Sequence, residues 1–229
     1  MSSAASGAKP TVAMLVPQTR QSEVFTPTTL DRLSSFARVI ALGEDTAALA
    51  RRLPEVLPEV DACLTGWGSP PFTLELLERA PKLKIIAHSA GSIKRLIPIE
   101  AFARGIVVSH AADIIAEAVS EFTLLLMLTG LRRSHLMDSA LKAGHSWREA
   151  RDIFAGHQLA GSDVRDEEPL PADSPFRQLD NVFITPHQAG HSVETHLKQG
   201  AAMVDELERF FSGRPVRYQI DQSAYATMA

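Results

Sequence analysis

The sequence predicts an α/β protein built on an open parallel sheet, and three observations predict it. Apolar runs of three to five residues recur along the first half of the chain. Amphipathic helical stretches separate them. The runs are continuous rather than alternating, as strands covered on both faces are.

Taken in order, Val12 to Val16 is the first such run and stops at Pro17. Thr28 to Arg38 has helical spacing, with Leu30, Leu33 and Phe36 on one side. Val39 to Leu42 is a second strand closed by Gly43, and Asp45 can cap a helix running through Leu57. Asp61 to Thr65 is a third strand and Phe72 to Arg79 a third helix. Leu83 to Ala87 is a fourth strand, followed by the polar turn Ser89, Ala90, Gly91 and Ser92. A short helix over Pro98 to Arg104 leads to a fifth strand, Ile106 to Val108. Such a succession describes a flavodoxin-like doubly wound sheet over residues 11–110. Sheets of this kind bind ligands at the carboxyl ends of their strands, so the turns after Leu64 and Ala87 are candidate sites.

Beyond the sheet, Ile114 to Ala143 reads as one long apolar helix with a break near Gly130. It carries more apolar residues than one buried stripe needs, so the sheet or another subunit must cover it. Residues 144–175 are polar and irregular, Val182 to Ile184 is a last strand, and Val193 to Phe211 a last amphipathic helix ending at Gly213. The predicted organisation is a disordered leader over 1–10 and a substrate domain over 11–110. A helical region spans 111–180, a strand and helix return to the first domain over 181–215, and a tail occupies 216–229.

Composition narrows the function. A net charge of −4 and a pI near 6.1 offer no basic face for nucleic acid or an anionic membrane. Cys63 is the single cysteine, which excludes an internal disulfide, and its apolar neighbours Ala62 and Leu64 make it a core residue. The first ten residues lack the apolar stretch of a signal peptide, and the run Leu124 to Leu128 is far short of the ~20 residues that span a bilayer. The expected compartment is the cytoplasm.

Two local patterns could carry chemistry. One is the acidic stretch Asp163 to Pro171, containing Glu167, Glu168 and Pro169; the other is Asn181 to Gly190, containing Thr185, Pro186 and His187. A histidine just past a strand end can face a cleft, and a carboxylate on one ring nitrogen poises the other as a general acid/base near neutrality. On spacing alone, a capped, partly exposed histidine beside a solvated acidic loop is the better fit.

Glu-Glu-Pro-Leu-Pro, then Asn-Val, Thr-Pro-His and Ala-Gly before a helix resembles the closing signature of the D-2-hydroxyacid dehydrogenases. The resemblance implies that Glu168 is the glutamate that pairs with the catalytic histidine, and His187 that histidine. It likewise implies that Ser89, Ala90, Gly91 and Ser92 form the loop whose backbone N–H groups hold the substrate carboxylate. Ala103 to Val108 resembles the strand that follows, and Ala118 to Phe122 opening an apolar helix resembles the element that pairs subunits. The implied ligand is a small 2-oxo or 2-hydroxy carboxylic acid, the implied cofactor NAD or NADP, and the implied assembly a homodimer through the helix near 114–131.

The cofactor segment itself is missing. Only Ser162 separates Gly161 from Asp163, whereas one strand–helix–strand unit takes ~30 residues, so a dinucleotide fold does not fit at residues 161–163. The region 111–180 is thus expected to hold only remnants of a Rossmann domain, and this chain is expected to bind neither NAD nor NADP. Arg104 has the letters of the family's substrate-clamping arginine but precedes the apolar helix, so that role is not carried to it. Gly66-Trp67-Gly68 imitates a dinucleotide turn, but Pro70 and Pro71 remove two N–H donors. His187, His191 and His196 imitate a metal set, yet His187 precedes the helix and Gly190 interrupts the first pair; no metal is expected. His88, His110, His135, His145 and His157 are scattered and read as surface or packing residues. A non-catalytic flavodoxin-like module that binds a carboxylate or dimerises remains the alternative, and an FMN-binding domain a weaker one.

Overall fold

The computed structural model describes residues 8–154, 172–178, 185 and 189–225. It divides into two compact units, residues 1–117 with 191–229, and residues 118–190.

The first unit is built on five parallel strands, β1 (Thr11–Met14), β2 (Arg38–Ala41), β3 (Ala62–Thr65), β4 (Ile85–His88) and β5 (Val107–His110), in the order β2-β1-β3-β4-β5. That 2-1-3-4-5 order is the doubly wound order anticipated for the sheet. Register explains why the apolar runs do not alternate. Ile40, Ala13, Cys63, Ile86 and Val108 line up across the sheet and face one core, whereas Val39, Val12, Ala62, Ile85 and Val107 line up and face the other. Both faces are covered, so adjacent positions within each strand are apolar and the polar residues fall toward the strand ends.

On the first face lie α3 (Thr46–Val56), α4 (Leu74–Glu78) and α5 (Glu100–Ala103), which bury Leu49, Leu53, Leu77 and Ala101. Asp45 caps α3 as anticipated, accepting from the Ala48 N–H at 2.8 Å. On the second face lie α1 (Gln18–Val24), α2 (Pro27–Phe36) and α9 (Val193–Phe211), which bury Val24, Leu33, Met203, Val204 and Leu207. Ser192 caps α9 by accepting from the Thr195 N–H at 3.1 Å. The approach of α9 to α1 requires Gly200, because a Cβ there would stand 2.0 Å from the Val24 carbonyl oxygen.

The stretch after α9 makes contacts of its own. Buried Glu206 accepts from the Arg217 and Tyr218 N–H groups at 2.9 and 2.8 Å. The Ile220 N–H donates to Val108 at 2.8 Å, and Gln219 pairs antiparallel with Ser109. A short helix α10 (Gln222–Tyr225) follows.

The expected helix 114–143 is corrected to two, α6 (Ala112–Arg132) and α7 (Ser134–Lys142), and the break falls at Arg133 rather than Gly130. Arg133 is left-handed at φ 49°, with its N–H closing a turn onto the Gly130 carbonyl at 3.2 Å. Within the second unit, a helix α8 (Trp147–Phe154) replaces the irregular chain expected from residue 144. Among the described residues no single helix is long and apolar enough to cross a membrane. Taken together α6 and α7 reach that length and composition, but they are bent by 56°.

Candidate functional site

The carboxyl ends of β3, β4 and β5 are stitched together by buried polar groups. Thr65 ends β3, and its carbonyl accepts both the Ser89 N–H and the Ser89 hydroxyl, each at 2.8 Å. The Thr65 hydroxyl hydrogen-bonds His88 Nδ1 at 3.0 Å. Burial, reinforced by the neighbouring His110, pushes the pKa of His88 down to about 4, so this ring is neutral at pH 7.

The turn after β4 has a definite polarity. The Ala111 N–H donates to the Ala90 carbonyl at 3.0 Å, and the Nδ1–H of His110 donates to the Gly91 carbonyl at 2.8 Å. In a trans peptide the C=O and the following N–H point in opposite directions. Tying those two carbonyls to the end of β5 therefore aims the N–H groups of Gly91 and Ser92 away from it. The Gly91 N–H has no acceptor among the described residues. Successive backbone N–H groups presented this way form a concavity suited to an anion. Ser89 and Ala90 are buried beneath the turn and Ser92 is exposed at its tip, where its hydroxyl lies 3.5 Å from the Lys94 N–H.

Beside this turn stands a rigid second one. Gly66 presses against Ser89: a Cβ on it would lie 2.5 Å from the Ser89 hydroxyl oxygen. The Ser69 hydroxyl accepts the Gly66 N–H at 2.9 Å and donates to Leu15 at 2.7 Å, while the Thr46 hydroxyl donates to the Gly68 carbonyl at 2.7 Å. These bonds display Trp67 at the carboxyl end of β3. Its ring stacks on exposed His191 at 5.6 Å and 21°, and meets His196 at 4.9 Å. His191 and His196 meet edge-on, also at 4.9 Å. The His196 pKa is lowered, first by burial and then by His191, with Arg20 adding to the effect and Glu23 opposing it.

The predicted site residues fare unequally. Ser89, Ala90, Gly91 and Ser92 are brought into one anchored turn. His187 and Glu168 lie outside the described residues, as do the junction 161–163 and the strand expected at 182–184. Two histidines read as scattered prove adjacent, because β4 and β5 pair His88 directly with His110. A usable signal was present: Ile85-Ile86-Ala87-His88 and Val107-Val108-Ser109-His110 each end an apolar run on histidine, and parallel neighbours bring equal offsets together. Among the described residues no group of three or more His, Cys, Asp or Glu could hold a metal ion. Arg104 is exposed at the end of α5.

Against known proteins, the family model for the D-isomer specific 2-hydroxyacid dehydrogenase catalytic domain matches residues 22–221. The chain belongs to that family. Its members are NAD(P)-dependent oxidoreductases acting on CH–OH donors. The chain is 34% identical over 128 residues to the glyoxylate reductase of Thermococcus litoralis, a match covering 53% of this chain and 38% of that protein. It is 41% identical over 63 residues to the chloroplastic/mitochondrial formate dehydrogenase of Arabidopsis thaliana, covering 27% of this chain and 16% of that protein. The matched segments thus span well under half of these relatives' lengths.

Solved structures share the fold. The PH0520 protein of Pyrococcus horikoshii superposes with a TM-score of 0.74 at 16% identity, covering 96% of this chain and 97% of that one. The NADPH-dependent glyoxylate/hydroxypyruvate reductase of Sinorhizobium meliloti, solved with NADP and malonate, superposes with a TM-score of 0.61 at 15% identity, covering 94% and 98%.

Proposed function

We propose that the five-stranded unit is the substrate lobe of a D-2-hydroxyacid dehydrogenase, binding a small 2-oxo or 2-hydroxy carboxylate at Ser89–Ser92. The observation that carries this reading is the polarity of that turn, with the carbonyls of Ala90 and Gly91 anchored on Ala111 and His110. A carboxylate would accept from the Gly91 N–H on the other side of the Ala90–Gly91 peptide, in a charge-assisted hydrogen bond. That the Sinorhizobium reductase was solved with a dicarboxylate is consistent with a ligand of this class.

Glu168 and His187 are the proposed proton-transfer pair, on the motif match alone. In that role Glu168 would hold one ring nitrogen of His187 and raise its pKa, and the other nitrogen would pass a proton to or from the substrate oxygen.

The described residues contain no Gly-x-Gly-x-x-Gly turn of the kind that holds a nicotinamide dinucleotide. The one Gly-x-Gly step in the sequence, Gly66-Trp67-Gly68, spends its Gly66 N–H on Ser69 and runs into Pro70 and Pro71. The third glycine and the helix opening directly from the turn, which together cradle a pyrophosphate, are not there: Pro71 stands at the third position and the next helix begins at Leu74. We therefore propose that the cofactor fold is absent between Gly161 and Asp163, and that this chain alone neither binds NAD(P) nor turns over. The test is 2-oxoacid-dependent NADH oxidation by the purified chain. No rate above buffer is expected; turnover abolished by His187→Ala would overturn the inactivity and support the acid/base role.

A non-catalytic carboxylate-binding or dimerising module is the second reading, favoured by the surface of α6. Leu124, Leu125, Met127 and Leu128 are each more than half exposed. Apolar residues so placed on one helix mark an association surface, and a homodimer through residues 114–131 is the proposed occupant.

A further inference from the structure

We infer that His110 is a positioning residue for the carboxylate turn, its ring locking the Gly91–Ser92 peptide so that the Gly91 carbonyl is turned away from the ligand held at the Gly91 N–H. The inference rests on reading Ser89–Ser92 as the carboxylate turn. Two peptides of that turn are anchored, in different ways. The Ala90–Gly91 peptide is held by a backbone donor, the Ala111 N–H at 3.0 Å. The Gly91–Ser92 peptide is held by a side chain, the Nδ1–H of His110 at 2.8 Å.

Glycine at 91 makes the second anchor necessary. A residue without a Cβ reaches backbone conformations closed to others, so rotation of the peptide on its carboxyl side meets little resistance. Rotated by half a turn, the peptide would present the Gly91 carbonyl oxygen where the Ser92 N–H had been. A carboxylate at the Gly91 N–H would then meet a like partial charge beside it.

His110 is itself well fixed. It ends β5, its own N–H donates to the Tyr218 carbonyl at 3.2 Å, and it lies in register with His88. His88 is held by Thr65 and is neutral, so it places no positive charge beside the turn. The strand end thus aims one planar donor across to the neighbouring strand's turn.

The test uses the full 15N-labelled chain, with D-lactate and malonate as probes and the Gly91 and Ser92 amide resonances as reporters. His110→Asn keeps a planar N–H donor near the position of Nδ1; His110→Phe keeps a ring and removes the donor. Wild type and His110→Asn should bind within about threefold of one another, and His110→Phe should raise the Kd about tenfold or more. In His110→Phe the Ser92 resonance should also move before any ligand is added, with the circular dichroism spectrum unchanged. Wild-type affinity and an unmoved Ser92 resonance in His110→Phe would overturn the inference and leave the carboxylate reading standing. Loss of binding in a folded His110→Asn equal to that in His110→Phe would overturn it too. No binding by wild type would sink the carboxylate reading and this inference with it. Should His110→Phe fail to fold, His110→Gln replaces it, since its amide sits one methylene too far out. Equal binding by His110→Gln and His110→Asn would then count against the lock.

Discussion

Lowering the pH from 7 to 5 should destabilise the sheet unit through one residue, His88. Burial takes its pKa from an ordinary 6.5 down to about 4, because the folded state leaves little room to solvate an imidazolium behind Thr65 and beside His110. Below pH 6.5 the unfolded chain binds a proton that the folded chain refuses, so stability falls as pH falls. The full contribution is present above 6.5 and is lost progressively down to about 4. Over that whole interval it amounts to roughly 3 kcal/mol, and about 2 kcal/mol of it is gone by pH 5. In a chain of this size that corresponds to a fall in Tm of about 4–8 °C. The assay is thermal unfolding by circular dichroism at pH 7 and pH 5, for wild type and for His88→Gln, which cannot titrate. Other groups, including His196, titrate in both proteins and cancel in the difference. Wild type should lose more than the variant by that margin; equal losses would refute the burial argument.

Three further outcomes follow from packing. Gly200→Ala should destabilise by about 3 kcal/mol, because its Cβ would meet the Val24 carbonyl at 2.0 Å and push α1 off α9, which denaturant unfolding will measure. Glu206→Ala should cost about 3 kcal/mol by leaving the Arg217 and Tyr218 N–H groups without their acceptor, and hydrogen exchange should speed first at those amides. The pair Leu124→Glu and Leu128→Glu should shift the chain from dimer to monomer in analytical ultracentrifugation without lowering its helicity; a monodisperse wild-type monomer would contradict the assigned surface.

The sheet was legible in the sequence because burial on both faces forces continuous apolar runs, and each of the five runs read within residues 11–110 proved to be a strand. Elements that bury little were not legible. In α1 only Val24 is buried, so Gln18 to Val24 shows no apolar stripe despite being helical. The helix α8 does carry an apolar stripe in the sequence, Trp147, Ala150, Ile153 and Phe154, but it lies inside a polar, glycine-flanked stretch that reads as irregular throughout. The break between α6 and α7 was placed at a glycine, but it is Arg133 that takes the left-handed conformation. Of the candidate site, the turn at Ser89–Ser92 could be located from its place after an apolar run, while its polarity could not. That depends on Ala111 and on His110, about 20 positions away along the chain, which meet the turn only through the parallel pairing of β4 and β5. The same pairing turned two isolated histidines into neighbours, one neutral by burial and one holding a peptide.

The central claim is that this chain keeps a carboxylate site and lacks a dinucleotide site. Saturation-transfer NMR on one sample containing the chain, D-lactate and NADH tests both halves at once. Transfer to D-lactate and none to NADH is the predicted result. Transfer to NADH, or a D-lactate signal no stronger than in the protein-free control, would contradict it.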